Sequence, residues 1–304
     1  RVIVLRPGES MLRTLEVLSP EEDDEARTEL ADADDGDDRD PPELELELVP
    51  FGRSYAAVVT IPFVRDDLGV RLAEALDSLG PEGPPAGLLL DLRGNAGGSM
   101  DGATSALSVF LPDVPVFPLL HGGRVIEVLS AEGDAPSRFH GPVAVLVDGA
   151  TASAAEMIAG ALDRYGRGLV LGQSTYGKGC VQEYFEDEVG VGILRLTTSL
   201  YALPDGSPVQ RVGLDPAIAL RLPGSPSRTE HEADLPGALE PVKGPDVRVE
   251  VPPAPPWPSS AGRLGPCAER VVCAALERAA RAPARAFRNH FSAQGRRRED
   301  PVRR

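Results

Sequence analysis

Apolar and polar positions alternate along the middle of the chain in two different periods. Predominantly apolar runs at residues 55–64, 88–92 and 143–147 have the length and composition of buried strands. Residues 66–79 and 153–165 instead carry apolar side chains three and four positions apart, which predicts amphipathic helices.

Shorter segments continue the alternation toward the C-terminus. We expect a helix at residues 103–111 and strands at residues 169–171, 181–185 and 193–203. Strands and helices that follow one another in this way predict an α/β fold with one main core at residues 43–222.

Both ends of the chain differ from this core. Residues 1–18 predict two short strands joined as a hairpin. Residues 19–42 form an acidic segment, in which residues 21–40 contain 12 acidic side chains and two arginines. This segment supplies −10 of the net charge of −16, so we expect a disordered linker and no nucleic-acid partner.

Beyond the core the sequence becomes less informative. Residues 223–262 are rich in proline, serine and acidic side chains and are expected to be extended. Residues 263–304 form a basic tail with a predicted helix over residues 266–288. We favour an exposed tail over a membrane-surface contact, and no apolar run is long enough for an integral membrane segment.

Lysine is rare in this sequence. Only Lys178 and Lys243 occur beside 29 arginines, and Lys178 lies between two glycines. Because arginine cannot be deprotonated in a protein, a site that needs a neutral amine as a base must keep a lysine. Lys178 is therefore a candidate general base.

Ser153 is the matching candidate nucleophile. It lies at the start of the predicted helix that follows the strand at residues 143–147. The unpaired N–H groups of a helix N-terminus can stabilise an oxyanion, although serine is also a common helix cap there. None of the four histidines lies in a recognisable triad motif, so a Ser-Lys pair fits the composition better.

Three sequence blocks resemble the carboxyl-terminal processing peptidases, also called tail-specific proteases. They are Asp91-Leu92-Arg93-Gly94-Asn95-Ala96-Gly97-Gly98, the segment around Ser153, and Tyr176-Gly177-Lys178-Gly179-Cys180-Val181-Gln182. The resemblance implies Ser153 as nucleophile, Lys178 as general base and Gln182 as the group that orients the lysine. It also implies an oxyanion site formed by the N–H groups of Ala154 and of Gly97 or Gly98.

The resemblance has further implications for the fold and for the substrate. It implies a layered spiral of strand-strand-helix units, similar to crotonase and Clp protease, and a remnant of a PDZ domain at residues 1–18. The activity implied is a serine endopeptidase that needs no cofactor. It would cleave protein or peptide substrates with apolar C-terminal tails in a periplasmic or secreted location, as a fragment that lacks its leader and most of its PDZ domain.

Several points stay open at this stage. Arg164 stands where many relatives have aspartate, and Asp163 precedes it, so their role is undecided. No His/Cys cluster has metal-ligand spacing, Cys180 is a weak candidate nucleophile, and a disulfide between Cys267 and Cys273 would require a broken helix.

The sequence is compatible with two other function classes. It is also compatible with a homo-oligomer. One is a non-catalytic peptide-binding or latent module. The other is a relative of the acyl-CoA hydratases and isomerases, which share the spiral fold; this class would not explain the lysine motif.

Overall fold

The computed structural model describes residues 2–4, 13–15, 43–79, 83–132, 139–186, 193–220, 231–258, 267 and 269–282. The chain divides into two compact units, Arg1–Pro41 and Pro42–Arg304. In the first unit, β1 (Val2–Val4) and β2 (Arg13–Leu15) pair in antiparallel orientation, as predicted for the hairpin. Their assignment to a PDZ domain stays a prediction, and residues 19–42 lie outside the described residues.

The second unit contains ten strands, four α-helices and one short 3-10 helix within the described residues. In chain order the strands and α-helices are β3 (Glu45–Phe51), β4 (Ser54–Thr60), α1 (Leu68–Asp77), β5 (Leu88–Asp91), α2 (Met100–Ser108), β6 (Pro115–His121), β7 (Arg124–Ser130), β8 (Val143–Val147), α3 (Ala154–Arg164), β9 (Leu169–Gly172), β10 (Cys180–Glu186), β11 (Ile193–Tyr201), β12 (Ile218–Ala219) and α4 (Arg270–Arg281).

The main sheet has six strands in the order β12-β9-β8-β5-β4-β3. Neighbouring strands are parallel except for β3, which pairs with β4 in antiparallel orientation. The central strands β5 and β8 are buried along their whole length, which explains why their residues are all apolar except Asp91 at the end of β5.

Helices α1, α2 and α3 pack on one face of this sheet. Alternate strand residues such as Leu88 and Leu90 point into the core that these helices close, whereas Leu89 belongs to a core on the opposite face. Gly69 of α1 lies so close to α2 that a Cβ there would be 2.1 Å from the Ser105 hydroxyl. The two helices therefore touch at a position where only glycine fits.

The opposite face of the sheet is covered by α4 and by Trp257. Leu276 and Ala279 of α4 are fully buried against this face. The rings of Trp257 and Phe51 meet edge to face, with 5.5 Å between their centroids. A core of this second kind is typical of three-layer α/β folds.

A second sheet has four strands in the order β10-β11-β6-β7, all antiparallel. The sequence did not predict β6 or β7 of this sheet, nor β3 and β12 of the main sheet. Pro115 and Pro118 lie within β6, and proline weakens a strand prediction. Strand β7 is exposed along most of its length, so it lacks the alternation that marks a half-buried strand.

The predicted C-terminal helix is too long at its N-terminal end. Helix α4 begins at Arg270, so Cys267 precedes it and Cys273 lies in its first turns. The two cysteines form a disulfide with 6.0 Å between their Cα atoms. The bond needs no break in the helix, because the helix starts four residues later than expected.

Candidate functional site

Ser153 occupies a strained position at the start of α3. The five residues after β8 form a loop in which the Asp148 carboxylate accepts hydrogen bonds from the N–H groups of Ala150 and Thr151, at 3.0 and 3.1 Å. Ser153 then caps the helix with φ 54° and ψ −121°. A positive φ in a residue other than glycine costs about 1–3 kcal/mol and occurs most often at functional sites.

The glycine turn after β5 packs directly against Ser153. Asn95 holds this turn: its amide nitrogen donates to the Ile61 carbonyl at 2.8 Å, and its amide oxygen accepts from the Gly97 N–H at 2.8 Å. A Cβ on Gly97 would lie 2.7 Å from the Ser153 Cβ and 3.1 Å from the Ala154 nitrogen. Position 97 thus requires glycine for two reasons: its φ of 109° disfavours other residues, and a side chain there would collide with Ser153.

Gly98 differs from Gly97 in the use of its N–H. Gly98 lies beside Val64, whose N–H donates to the Gly97 carbonyl and whose carbonyl accepts from the Ser99 N–H. Neither bond uses the Gly98 N–H, while the Gly97 N–H is occupied by Asn95. Ala154, the first residue of α3, has an N–H without an acceptor inside the helix.

The lysine loop, residues 175–179, connects β9 to β10 and packs beside the serine loop. The Tyr176 N–H donates to the Thr151 carbonyl at 3.0 Å, which joins the two loops directly. The register of β10 shifts between Val181 and Gln182, as in a β-bulge. A bulge redirects side chains, and here it changes the direction of the strand just before Gln182.

Glu156 connects the serine and the lysine through a single carboxylate. One of its oxygens accepts from the backbone N–H groups of Ser153 and Lys178, both at 2.9 Å. The other accepts from the Gly177 N–H at 2.8 Å and from the Thr175 hydroxyl. The side chain is fully buried, and burial raises the pKa of Glu156 to about 7, although the four hydrogen bonds oppose the shift.

Tyr201 binds the same two residues from the opposite side. Its hydroxyl lies 3.1 Å from the Ser153 carbonyl oxygen and 2.9 Å from the Lys178 carbonyl oxygen. The ring is buried, and this burial raises the pKa of Tyr201 well above its usual value. The phenol therefore stays protonated and can donate.

A cavity of about 610 Å³ opens beside the lysine loop. Lys178 and Gln182 both line it, and Ala152, the residue before Ser153, contributes to its wall. Within the described part of the chain, no direct hydrogen bond joins the Ser153 hydroxyl to the Lys178 amine. The structure thus places Lys178 and Gln182 in one cavity and Ser153 at its margin, without a hydrogen bond between the serine and the amine.

Cys180 lines this cavity but is poorly suited to act as a nucleophile. Burial raises the pKa of its thiol, and the nearby Glu232 carboxylate adds to the shift. A higher pKa lowers the fraction of reactive thiolate.

The charged residues left open by the sequence form ion pairs away from the serine. Asp163 and Arg164 pair with each other, and the Arg164 Nε lies 3.0 Å from an Asp205 oxygen. They lie at the C-terminal end of α3, about 15 Å along the helix axis from Ser153. Their position indicates a structural role.

Asp91 and Arg93 stabilise the glycine turn that follows β5. The Arg93 guanidinium donates both to Asp91, which is buried, and to Glu269 at 2.7 and 3.0 Å. Arg93 therefore links the turn to the residue just before α4.

Four residues of the site were not assigned roles from the sequence: Glu156, Tyr201, Gln210 and Glu232. Only Glu156 had a local signal, because a Ser-x-x-Glu spacing marks a capping box at a helix N-terminus. The other three approach from distant parts of the chain. We find no cluster of His, Cys, Asp and Glu fit to hold a metal ion among the described residues, and none of the helices seen there could cross a bilayer.

Comparison with known proteins gives the same assignment as the three sequence blocks. The model of peptidase family S41 matches residues 56–220, more than half of the chain. The carboxy-terminal-processing protease of Bartonella bacilliformis is 34% identical over 146 residues, or 45% of this chain and 31% of its own. The carboxyl-terminal-processing protease of Synechocystis sp. is 32% identical over 171 residues, or 54% and 39%.

A solved structure supports the fold. The photosystem II D1 C-terminal processing protease superposes with a TM-score of 0.52 at 26% identity, covering 60% of this chain and 49% of that protein. The predicted resemblance and the predicted α/β spiral fold are both confirmed. The chain spans less than half the length of each of these relatives.

Proposed function

Because the chain belongs to peptidase family S41, we propose that it is a serine endopeptidase that cleaves unstructured protein segments near their C-termini. The observation that carries this proposal is the shared attachment of Ser153 and Lys178 to Glu156. One carboxylate oxygen fixes the backbone of the nucleophile and of the base relative to each other. Such fixed spacing is what a two-residue catalytic site requires.

In the proposed mechanism the Ser153 hydroxyl attacks the scissile carbonyl carbon and Lys178, as a neutral amine, takes its proton. The resulting tetrahedral oxyanion collapses, the peptide C–N bond breaks, and the lysine gives the proton to the leaving amine. Water then attacks the acyl-enzyme ester, again with Lys178 as base, and Ser153 is restored. Gln182, a neutral side chain in the same cavity, orients the amine without adding a counter-charge.

For the oxyanion we propose the N–H groups of Ala154 and Gly98. Ala154 begins α3, so its N–H is free of intrahelical bonding and benefits from the helix dipole. Gly98 is preferred over Gly97, because the Gly97 N–H already donates to Asn95. Two donors aimed at a developing negative charge contribute a large part of the rate enhancement in acyl transfer.

The proposed substrates are protein tails with apolar C-terminal residues. The names of the two relatives describe carboxyl-terminal processing, and Ala96, Ala150 and Ala152 give the cavity an apolar wall. We also propose an oxidising, periplasmic or extracellular location, because disulfides such as Cys267–Cys273 persist mainly there.

A latent or purely binding form is the second candidate. The observation in its favour is that no direct hydrogen bond joins the Ser153 hydroxyl to the Lys178 amine in the described structure. In this form the site would hold a peptide without cleaving it until the amine moves toward the serine.

Cleavage of an unfolded protein with an apolar C-terminal tail distinguishes the two candidates. We would compare the wild type with Ser153→Ala and Lys178→Ala and record product masses. Cleavage near the C-terminus by the wild type alone supports the endopeptidase. Binding of the tail by all three proteins without any cleavage would refute it in favour of the binding form.

A further inference from the structure

A segment outside the family-matched region returns to the lysine loop. The short 3-10 helix Glu232–Asp234 lies beyond residue 220, where the family match ends. The Glu232 N–H donates to the Tyr176 carbonyl at 3.1 Å, which attaches this segment to the loop that carries Lys178.

The Glu232 side chain reaches the same loop through Gln210. The Gln210 amide nitrogen donates to a Glu232 carboxylate oxygen at 2.8 Å, and the Gln210 amide oxygen accepts from the Gly179 N–H at 2.9 Å. Gly179 directly follows Lys178. A chain of two hydrogen bonds therefore connects the Glu232 carboxylate to the backbone next to the proposed base.

Both side chains in this connection are buried, with Gln210 1% and Glu232 9% exposed. The Gln210 amide can turn around unless a partner fixes which end faces Gly179. Glu232 is an acceptor only, so it selects the orientation in which the Gln210 oxygen faces the Gly179 N–H. A Cβ on Gly179 would lie 2.3 Å from the backbone nitrogen of Gln210, which shows how closely the two backbones pack.

We propose that Glu232 is a positioning residue for Lys178 and acts through Gln210 and Gly179. This inference rests on the proposed function, in which Lys178 is the base. Glu156 accepts from the Lys178 N–H, while Tyr201 and Gln210 bind the C=O and the N–H of the peptide unit that joins Lys178 to Gly179. Glu232 thus completes the support of the lysine from a part of the chain that the family match does not cover.

The consequence of losing this support is a shift of the amine in the cavity. Glu232 lines that cavity together with Lys178. A displacement of about 1 Å at a reacting group can lower a rate on the order of 100-fold. Substrate binding elsewhere in the site would be unaffected, so kcat should change and KM should not.

The test uses Glu232→Ala, Glu232→Gln, Gln210→Ala and the double alanine variant in the full chain. Glu250→Ala, an exposed carboxylate further along the same extended segment, is the matched control. We expect Glu232→Ala to lower kcat at least about tenfold with KM within about twofold, because an interaction that supports the base is lost. Glu232→Gln keeps an acceptor for Gln210 and should restore most of kcat.

The double variant tests whether the two side chains act as one unit. We expect it to lose no more activity than the worse single variant, since both changes break the same connection. Full additivity of the two losses would overturn the proposal, as would a Glu232→Gln variant as poor as Glu232→Ala.

Hydrogen–deuterium exchange of peptides covering residues 175–180 gives a readout that does not depend on cleavage. Glu232→Ala should exchange faster there than the wild type, whereas exchange in the central strand β8 should stay as in the wild type, and Glu250→Ala should change neither. If the wild type cleaves nothing, the proposed function fails while the exchange still decides the positioning role. If Glu232→Ala leaves both the exchange and kcat unchanged, the positioning role is refuted. If Glu232→Ala does not fold, Glu232→Asp takes its place in both measurements.

Discussion

Replacing Glu156 with glutamine removes the charge of the carboxylate that connects Ser153 and Lys178. The four groups around this side chain are all donors: three backbone N–H groups and the Thr175 hydroxyl. Glutamine keeps the size of glutamate but presents one acceptor and one donor. Its NH₂ group must therefore face donors on one side, which breaks the attachment of either Ser153 and Lys178 or the rest of the loop.

The magnitude follows from the pKa of Glu156. Burial raises it from an ordinary 4.5 to about 7, a difference worth about 3 kcal/mol at 1.36 kcal/mol per unit. Below pH 4.5 the carboxyl is neutral in the folded and the unfolded chain. As the pH rises from 4.5 to 7 the unfolded chain ionises first, so the free energy of unfolding falls by up to about 3 kcal/mol.

Urea denaturation at intervals between pH 4.5 and 8 measures this effect. The Glu156→Gln variant has no group to titrate at this position, so the difference in unfolding free energy between wild type and variant should change by about 3 kcal/mol across the range. Glu127→Gln on the exposed strand β7 is the control and should follow the wild type. At pH 8, kcat of Glu156→Gln should fall on the order of 100-fold, because the nucleophile and base lose their fixed spacing.

Two results would contradict this reasoning. Parallel stability curves for wild type and Glu156→Gln would mean that the carboxyl does not titrate in the folded protein near pH 7. Full activity of the variant would mean that the four hydrogen bonds do not position Ser153 and Lys178.

Four further substitutions give separate tests. Lys178→Arg should abolish cleavage in a mass-resolved assay while the fold stays intact by circular dichroism, because arginine stays charged. Tyr201→Phe removes the one hydroxyl proton that the Ser153 and Lys178 carbonyls share, and it should lower the urea-derived free energy of unfolding by about 1–2 kcal/mol and also lower kcat. Gly97→Ala places a methyl group against Ser153. It should lower the free energy of unfolding by about 1–3 kcal/mol and abolish cleavage, measured in the same two assays. Cys267→Ser should lower the stability by about 2 kcal/mol without reductant and leave it unchanged with reductant.

The sequence predicted most of the α/β core, because its strands and helices follow simple apolar periods. β8 has the predicted bounds, and α1 and α3 lie within the predicted helices. The hairpin β6–β7 was not predicted, since the prolines of the buried strand β6 weaken a strand prediction and the exposed strand β7 lacks the usual alternation. Helix α4 starts at Arg270, four residues later than expected, so Cys267 lies outside the helix and can bond to Cys273.

The candidate site was only partly accessible to sequence reasoning. Local motifs and spacing marked Ser153 and Lys178, and a resemblance added Gln182. The supporting groups Tyr201, Gln210 and Glu232 come from a strand, a turn and a short 3-10 helix far along the chain. Long-range pairs of single side chains leave no pattern in one sequence, so the structure was needed to find them.

The layer formed by Trp257 and α4 determines where a recombinant fragment of this protein can end. A recombinant domain ended at residue 220, the limit of the family match, would leave one face of the six-stranded sheet bare. Leu89, Leu146 and Leu171 would then lie on an exposed, contiguous apolar surface of the kind that drives aggregation. Expression of the catalytic unit should therefore extend at least through residue 282, so that the solubility of the fragment does not obscure its activity.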